Sequence, residues 1–166
     1  MDIIFCLVGP SGSGKTTVAK ELSKDYNVIQ SYTTREKRSE DEWGHTFVDE
    51  YKPARNIIAY NLYNGNHYWA TTKQYEGMGK TIYIIDPKGD EVLRDTIDTK
   101  IVTIFLSIPT TEAYRRMIVD RSEEAVWERL EYDEKEFAVV KTDWVVTANC
   151  HRKVLVEKVK AIINSY

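Results

Sequence analysis

Five short apolar runs recur along the chain, and most of them are followed by a segment with helical spacing of apolar residues. A continuous apolar run of about four to eight residues is typical of a strand buried on both faces. Strands that alternate with helices predict an α/β fold, here a five-stranded parallel sheet with helices on both faces. The expected strands cover residues 3–8, 27–31, 81–86, 101–108 and 144–147.

Helices are predicted where apolar side chains repeat every three or four positions. Val18 and Leu22 are one helical turn apart after the first strand, and Val126 and Leu130 have the same spacing further on. The expected helices cover residues 17–24, 89–96, a segment from Thr111, 123–137 and a C-terminal segment. The apolar face of the C-terminal helix is predicted to contain Val154, Leu155, Val159, Ile162 and Ile163.

Residues 32–79 interrupt this alternation. The segment is polar and rich in aromatic residues, and it has no long helical stripe; turn signals occur at residues 64–66 and 77–79. Its length is too great for an unstructured loop in a compact domain. We therefore expect an inserted subdomain made of a small sheet with a short helix.

The composition is that of a single globular domain, with 42% hydrophobic and 30% charged residues in a chain of 166. The net charge of −3 gives no electrostatic signal for nucleic acid or an anionic membrane. No apolar run has the length of a membrane span. Cys6 and Cys150 form no disulfide framework and have no partners at metal-ligand spacing. Together with the absence of a basic leader, these features predict a cytoplasmic location.

The first expected strand leads into a glycine-rich segment, G-P-S-G-S-G-K-T at residues 9–16, which we call the P-loop. A strand, this loop and a helix predict a phosphate site, because loop N–H groups and the helix N-terminus attract anions. Lys15 would reach the β- and γ-phosphates, and the Thr16 hydroxyl would bind Mg²⁺. A glycine-rich turn without a ligand is the weaker alternative. The expected nucleoside triphosphate site contains Gly9, Pro10, Ser11, Gly12, Ser13, Gly14, Lys15, Thr16 and Thr17.

Two arginines, Arg35 and Arg38, stand three residues apart beside several hydroxyl side chains. Their guanidinium groups match the oxygens of a phosphate or carboxylate bidentately, so the pair could form a binding fork. Acidic residues lie nearby in the sequence, and a solvated charge run is the equally weighted alternative. The acidic neighbours are Glu36, Glu40, Asp41 and Glu42.

A series of motifs continues from these arginines. The first comprises Ser31, T-T-R-x-x-R at residues 33–38, Asp41, Gly44 and the Phe-Val pair at residues 47–48. Further motifs follow at residues 65–73, 86–89, 104–112 and 121–130. In this order the series resembles the guanylate kinase family over almost the whole chain, and T-T-R-x-x-R together with the 121–130 motif is its most specific part.

The resemblance implies a P-loop kinase that binds Mg²⁺ with ATP and closes over an acceptor nucleotide. Its core would be residues 1–31, 80–112 and 138–166, its acceptor-binding insertion residues 32–79, and its helical lid residues 113–137. The lid would bring Arg121 and Arg129 onto the transferring phosphoryl group, where they would act with Lys15.

The resemblance also implies an acceptor site. Arg35 and Arg38 would hold the acceptor phosphate with Tyr68 as a further donor, and Ser31 and Thr71 would face the base. Asp86 would serve the acceptor site or a Mg²⁺-bound water, and an N-cap of the next helix is the alternative from spacing alone. The implied acceptor-binding residues are Ser31, Arg35, Arg38, Asp41, His45, Tyr68, Thr71 and Asp86.

Departures from the family pattern cluster around the groups that read the base. Residues 57–61 contain no acid where the family has a glutamate, and Ile84 stands in place of its first aspartate. His45 replaces an acceptor-site tyrosine, and Met117 replaces a lid arginine beside Arg115 and Arg116. A carboxylate accepts hydrogen bonds from guanine that alanine or tyrosine cannot replace. We therefore expect ATP-dependent phosphoryl transfer without strict selection of guanine.

The predicted function is phosphorylation of a nucleoside monophosphate by ATP, with GMP or dGMP as the first acceptor. One alternative is a P-loop kinase for another nucleotide or a ribose phosphate. Another is a non-catalytic guanylate-kinase-like module that binds proteins, against which the complete P-loop and the lid arginines argue. ATP and the acceptor are the expected partners, with no nucleic acid and no membrane.

Overall fold

The computed structural model describes all residues, 1–166, and contains nine strands and five α-helices. The strands are β1 (Ile3–Val8), β2 (Asn27–Ile29), β3 (Ser31–Thr33), β4 (His45–Phe47), β5 (Ile57–Tyr63), β6 (Asn66–Thr71), β7 (Lys80–Ile84), β8 (Lys100–Ser107) and β9 (Trp144–Thr147). The helices are α1 (Lys15–Leu22), α2 (Pro87–Thr96), α3 (Thr110–Met117), α4 (Glu123–Glu136) and α5 (Arg152–Asn164). None of the five α-helices combines the length and the apolar composition of a membrane-spanning segment.

The core of the fold is a five-stranded parallel sheet in the order β2-β7-β1-β8-β9. β1 lies at its centre between β7 and β8, and all six of its residues are buried. This confirms the α/β fold and the parallel sheet predicted from the apolar runs. The second predicted strand is shorter than expected, because Ser31 leaves the core sheet and begins β3.

Alternate residues of β1 face two separate hydrophobic clusters. Phe5 and Leu7 pack in the cluster that includes Val18 of α1 and Val159 of α5. Ile4, Cys6 and Val8 pack in the cluster that includes Leu93 of α2 and Ile58 of β5. Because successive side chains of a strand point to opposite faces, the central strand is covered on both sides.

The apolar face predicted for the C-terminal helix is correct except at one position. Leu155, Val159, Ile162 and Ile163 are buried on α5, whereas Val154 is 47% exposed. Successive residues of an α-helix are rotated by about 100° around its axis, so a neighbour of a buried residue lies on the side of the stripe. Val154 therefore projects toward solvent.

Residues 31–71 form a second, four-stranded sheet in the order β4-β3-β6-β5. β3 is parallel to β4 and antiparallel to β6, and β6 is antiparallel to β5. A short 3-10 helix, Thr72–Gln74, follows β6. The small sheet with a short helix is therefore present, and the sheet starts at Ser31, one residue before the expected boundary of the insertion.

Candidate active site

The P-loop connects the carboxyl end of β1 to the first turn of α1. The backbone requires glycine at three positions of this loop. A Cβ on Gly9 would lie 2.6 Å from the carbonyl oxygen of Leu106 in β8. Gly12 and Gly14 have φ of 79° and 91°, in the left-handed region that side chains disfavour. The glycines therefore allow the chain to turn closely against the core sheet.

Lys15 is folded back over this loop. Its Nζ donates hydrogen bonds to the carbonyl oxygens of Gly9 and, at 3.0 Å, Pro10. Burial lowers the pKa of Lys15 to about 8; the nearby Asp133 carboxylate opposes this shift, and the Arg129 guanidinium adds to it. The ammonium group is thus held at the loop by carbonyl groups that a phosphate could replace. Thr16, at the start of α1, is exposed.

The lid helix α4 contacts the P-loop directly. The Asp133 Oδ2 atom accepts a hydrogen bond of 2.8 Å from the backbone N–H of Ser11. Arg129 Nε donates at 2.6 Å to the Ser11 hydroxyl and lies 3.3 Å from Asp133 Oδ1, an ion pair without hydrogen-bond alignment. Asp133 is 4% exposed. The predicted lid residue Arg129 is therefore at the P-loop, next to a buried carboxylate that the sequence did not single out.

Arg121, the other lid arginine predicted from the resemblance, is not at the P-loop. It is exposed before α4, and its one polar side-chain contact is with the Met117 sulfur at 4.0 Å. The second arginine that contacts the loop is Arg116, whose guanidinium donates to the carbonyl oxygens of Gly12 at 2.9 Å and Ala148 at 3.1 Å. The signal for Arg116 is its position beside Met117, where the family pattern expects a lid arginine.

The register of the second sheet places three of the eight expected acceptor residues, Ser31, His45 and Tyr68, on one face. Ser31 pairs with His45 in parallel, Thr33 pairs with Tyr68, and Tyr68 pairs with Asn61. Paired residues share a face, and so do alternate residues along each strand. We call this surface the His45 face; it carries Ser31, Thr33, His45, Phe47, Asn61, Tyr63 and Tyr68. Four residues of this set were not among the expected acceptor residues: Thr33 and Phe47, which belong to the recognised motif, and Asn61 and Tyr63, which belong to none.

His45 lies among aromatic rings on this face. Its ring centroid is 5.8 Å from that of Tyr68 and 6.0 Å from that of Phe47. The Nδ1 atom is buried without a hydrogen-bond partner. Burial lowers the pKa of His45, and the positive charge of Arg35 lowers it further. Both effects favour the uncharged ring, which keeps one unpaired polar nitrogen.

Arg35 is held in a bidentate ion pair by Glu42, at 2.5 Å and 3.3 Å. The Arg35 hydrogen bond lowers the pKa of Glu42 to about 2, and the backbone N–H of Arg38 also donates to Glu42, at 2.7 Å. The Arg38 side chain is exposed. Asp41 is exposed as well, and a hydrogen bond from Ser39 lowers the pKa of its carboxyl group. The 35–42 segment thus contains an internal carboxylate that neutralises Arg35, and the binding fork of Arg35 and Arg38 stays a prediction.

The other end of the His45 face meets the core sheet. The Ser31 hydroxyl is 3.1 Å from that of Tyr83. Asp86 caps α2 by accepting 2.6 Å from the Gly89 N–H, and its second oxygen accepts 3.0 Å from the Asn61 amide. The capping role considered for Asp86 is therefore present, and Asn61 ties the same carboxylate to the second sheet.

Thr71 lies at the end of β6. It is 8% exposed, and its side chain and backbone form a reciprocal cap with Gln74 around the short 3-10 helix. Its backbone N–H donates to the Gln74 Oε1 atom at 3.0 Å. Thr71 is thereby fixed by local structure at the border between the second sheet and the core.

Comparison with known proteins finds one matching family model and several similar guanylate kinases. Residues 5–138 match the family model described as an AAA domain. The guanylate kinase of Listeria innocua is 30% identical over 185 residues, which cover 98% of this chain and 88% of that protein. The guanylate kinase of Chlamydia felis is 30% identical over 146 residues, which cover 77% and 69%.

The fold comparison agrees. The crystal structure of guanylate kinase from Anaplasma phagocytophilum aligns with a TM-score of 0.71 at 21% identity, covering 99% of this chain and 85% of that one. A sugar kinase from Janibacter aligns with a TM-score of 0.56 at 13% identity, covering 99% and 95%. At identities of 21% and 13%, these two structures show only that the fold is shared. The sequence relatives carry the assignment: the chain belongs to the guanylate kinase family of P-loop proteins.

Proposed function

We propose that the protein transfers the γ-phosphoryl group of ATP to a nucleoside monophosphate, with GMP or dGMP as the first acceptor to test. The observation that carries this proposal is the contact of Arg129 and Lys15 with one loop. Lys15 lies over the P-loop from α1, and Arg129 reaches its Ser11 hydroxyl from the lid. A protein-binding module needs neither cation at a phosphate cradle.

On the donor side, the P-loop N–H groups and the start of α1 would bind the phosphates of ATP. Lys15 would leave the carbonyl oxygens it now contacts and bind the β- and γ-phosphates. The exposed Thr16 hydroxyl fits a Mg²⁺ that arrives with ATP, because Mg²⁺ takes oxygen ligands and keeps several waters. The chain has no cluster of three or more acidic, histidine or cysteine side chains that would bind the ion by itself. Magnesium would neutralise charge on the phosphates.

On the acceptor side, a phosphate oxygen of the monophosphate would attack the γ-phosphorus. The bond to the bridging oxygen of ADP would break, and ADP would carry the electron pair away. Arg35, Arg38, Tyr68 and His45 would hold the acceptor phosphate, and Arg129 with Lys15 would bind the developing charge. For the core, the insertion and the lid we keep the ranges implied by the resemblance as a proposal, with the second sheet beginning at Ser31. A cytoplasmic location remains our prediction from the cysteine content.

The residues expected to recognise the base favour a second candidate function, in which monophosphates other than GMP are also acceptors. Ala59, in the region where the family has a glutamate, is 4% exposed and has no polar side chain. Both oxygens of Asp86 already accept hydrogen bonds, from Gly89 and Asn61. A guanine ring that reached Asp86 would therefore have to share its carboxylate with Gly89 and Asn61. This arrangement favours weak discrimination between GMP and other monophosphates.

An ADP-release assay with Mg-ATP tests the proposal directly. The acceptors would be GMP, dGMP, AMP, dAMP, CMP, UMP, dTMP and ribose phosphates, with Lys15→Ala as the blank. We expect turnover of at least one nucleotide that the variant loses. Absence of turnover with every acceptor, together with measurable ATP binding, would exclude the proposed reaction with this panel and favour the binding-module alternative.

A further inference from the structure

Tyr63 occupies the point where the second sheet meets the lid. It is the last residue of β5 and pairs with Asn66 across a two-residue hairpin turn. Both turn residues have positive φ, 48° at Asn64 and 74° at Gly65, which is the conformation of a tight hairpin loop. Tyr63 is half-buried on the His45 face, whereas Leu62 points to the other side and is 55% exposed. The ring is thus held at a defined place on the acceptor side of the site.

The Tyr63 hydroxyl accepts a hydrogen bond of 3.2 Å from Arg129 Nη1. The Arg129 guanidinium also lies over the Tyr132 ring, 5.0 Å from its centroid, and the rings of Tyr63 and Tyr132 pack edge to face at 5.6 Å. With Ser11 and Asp133 bound near Nε, the guanidinium is fixed from the donor loop, from its own helix and from the second sheet. The Nη2 atom makes no hydrogen bond to the protein, so its N–H groups are left for a phosphoryl oxygen.

We propose that Tyr63 is a positioning residue for Arg129, which it aligns over the P-loop through its hydroxyl group. An arginine side chain has many rotamers, and its value at a developing charge depends on being ordered before the reaction. The bond joins the acceptor-side sheet to the lid, so the guanidinium is aligned when both lie against the donor loop. This inference rests on the proposed kinase function.

Tyr63→Phe removes the hydroxyl group and keeps the ring that packs on Tyr132. We expect kcat to fall about three- to tenfold, as for loss of one hydrogen bond of ordinary net strength, while KM for ATP and for the acceptor stays within about twofold. The matched control is Tyr60→Phe, because the Tyr60 hydroxyl bonds His67 Nδ1 at 2.9 Å on the opposite face. That variant should keep the parent kcat. A Tyr63→Phe kcat within about twofold of the parent would overturn the proposal.

A double-mutant cycle distinguishes positioning from a general effect on folding. In an Arg129→Gln background, Tyr63→Phe should cause no further loss of kcat, because the residue through which it acts is gone. The same fold-loss in both backgrounds would overturn the proposal. Thermal unfolding of each variant verifies that the fold is kept.

A measurement that does not depend on turnover distinguishes failure of the positioning role from failure of the proposed kinase reaction. With ¹⁵N-labelled arginine, the Arg129 Nε–H signal, assigned by its loss in Arg129→Lys, should exchange with water faster in Tyr63→Phe than in the parent and in Tyr60→Phe. Equal exchange would overturn the positioning role. If the parent turns over no acceptor and the exchange still changes, the proposed reaction fails while the positioning of Arg129 stands.

Discussion

The carboxylate of Asp133 accepts a hydrogen bond of 2.8 Å from the backbone N–H of Ser11, which joins the lid helix to the phosphate-binding loop. The N–H groups of such a loop bind the oxygens of a triphosphate in a P-loop protein. A buried side-chain carboxylate therefore accepts a hydrogen bond from one of the amide groups that the loop would use to bind an anion. ATP must displace Asp133 or accept its negative charge nearby.

Asp133→Asn removes the charge and keeps the size of the side chain. We expect the dissociation constant of ATP to fall severalfold, because the amide of Ser11 is released more easily and repulsion of the phosphates is lost. Isothermal titration calorimetry with ATP measures the change. Glu134→Gln, an exposed neighbour on the same helix, is the charge-matched control and should leave ATP binding as it is. ATP binding that is unchanged or weaker in Asp133→Asn would show that the contact does not compete with the nucleotide.

Lys15 predicts a pH dependence of ATP binding. Burial lowers its pKa to about 8, so the free protein holds the ammonium form below pH 8 and loses the proton as the pH rises through that value. ATP should therefore bind more weakly at pH 9 than at pH 7, when measured at constant ionic strength and Mg²⁺. Lys15→Met should bind ATP weakly at both values with a flatter profile. A parent profile that is equally flat would exclude Lys15 as the titrating group.

The local parts of this arrangement follow from the sequence because they depend on neighbouring residues. The strand, the P-loop and α1 adjoin in the chain, and the alternation of apolar residues in β1 already specifies two covered faces. The contacts of Ser11 with Asp133 and Arg129 join residues 122 and 118 positions apart. No periodicity or spacing encodes such a contact, which depends on how α4 packs against the loop.

The acceptor side likewise contains residues that the sequence predicts and residues that only the fold brings to the site. Family resemblance points to Arg35, Tyr68 and His45, and strand register places Tyr68 and His45 on one face. Asn61 and Tyr63 have no recognisable motif, and their relevance appears only when β5 pairs with β6 and its alternate residues turn toward Asp86 and Arg129. Polar side chains at alternate positions of a strand beside a motif were the available signal.

Glu42 predicts how stability depends on pH. Its pKa in the folded protein is lowered from 4.5 to about 2 by Arg35, so the ion pair stabilises the fold above pH 4.5 and this contribution is lost as the pH falls toward 2. Glu42→Gln should lower the free energy of unfolding at pH 7, and the difference from the parent should be smaller at pH 3. Urea denaturation at the two pH values measures it. The exposed Glu36→Gln is the control, and a pH-independent difference would contradict the pKa argument.

We predict that replacing Asn61 changes the selection of the acceptor base. Its amide donates to the Asp86 oxygen that does not cap α2, at the end of the His45 face that meets the core sheet. Asn61→Ala frees this oxygen to accept from the N1–H of guanine, which adenine lacks. The ratio of kcat/KM for GMP to that for AMP should therefore rise severalfold, with the KM for ATP unchanged.

Steady-state kinetics with both monophosphates measures this ratio, and Leu62→Ala on the exposed opposite face is the matched control. A ratio that stays constant would mean that Asp86 does not read the base, since its freed oxygen would then lie out of reach of the ring. A ratio that falls would mean that the Asn61 amide itself favours guanine, because its carbonyl oxygen can accept from the same N1–H group. In that case the amide takes the place of the glutamate that the family has in this region, and the acceptor site selects guanine through a neutral group rather than a carboxylate.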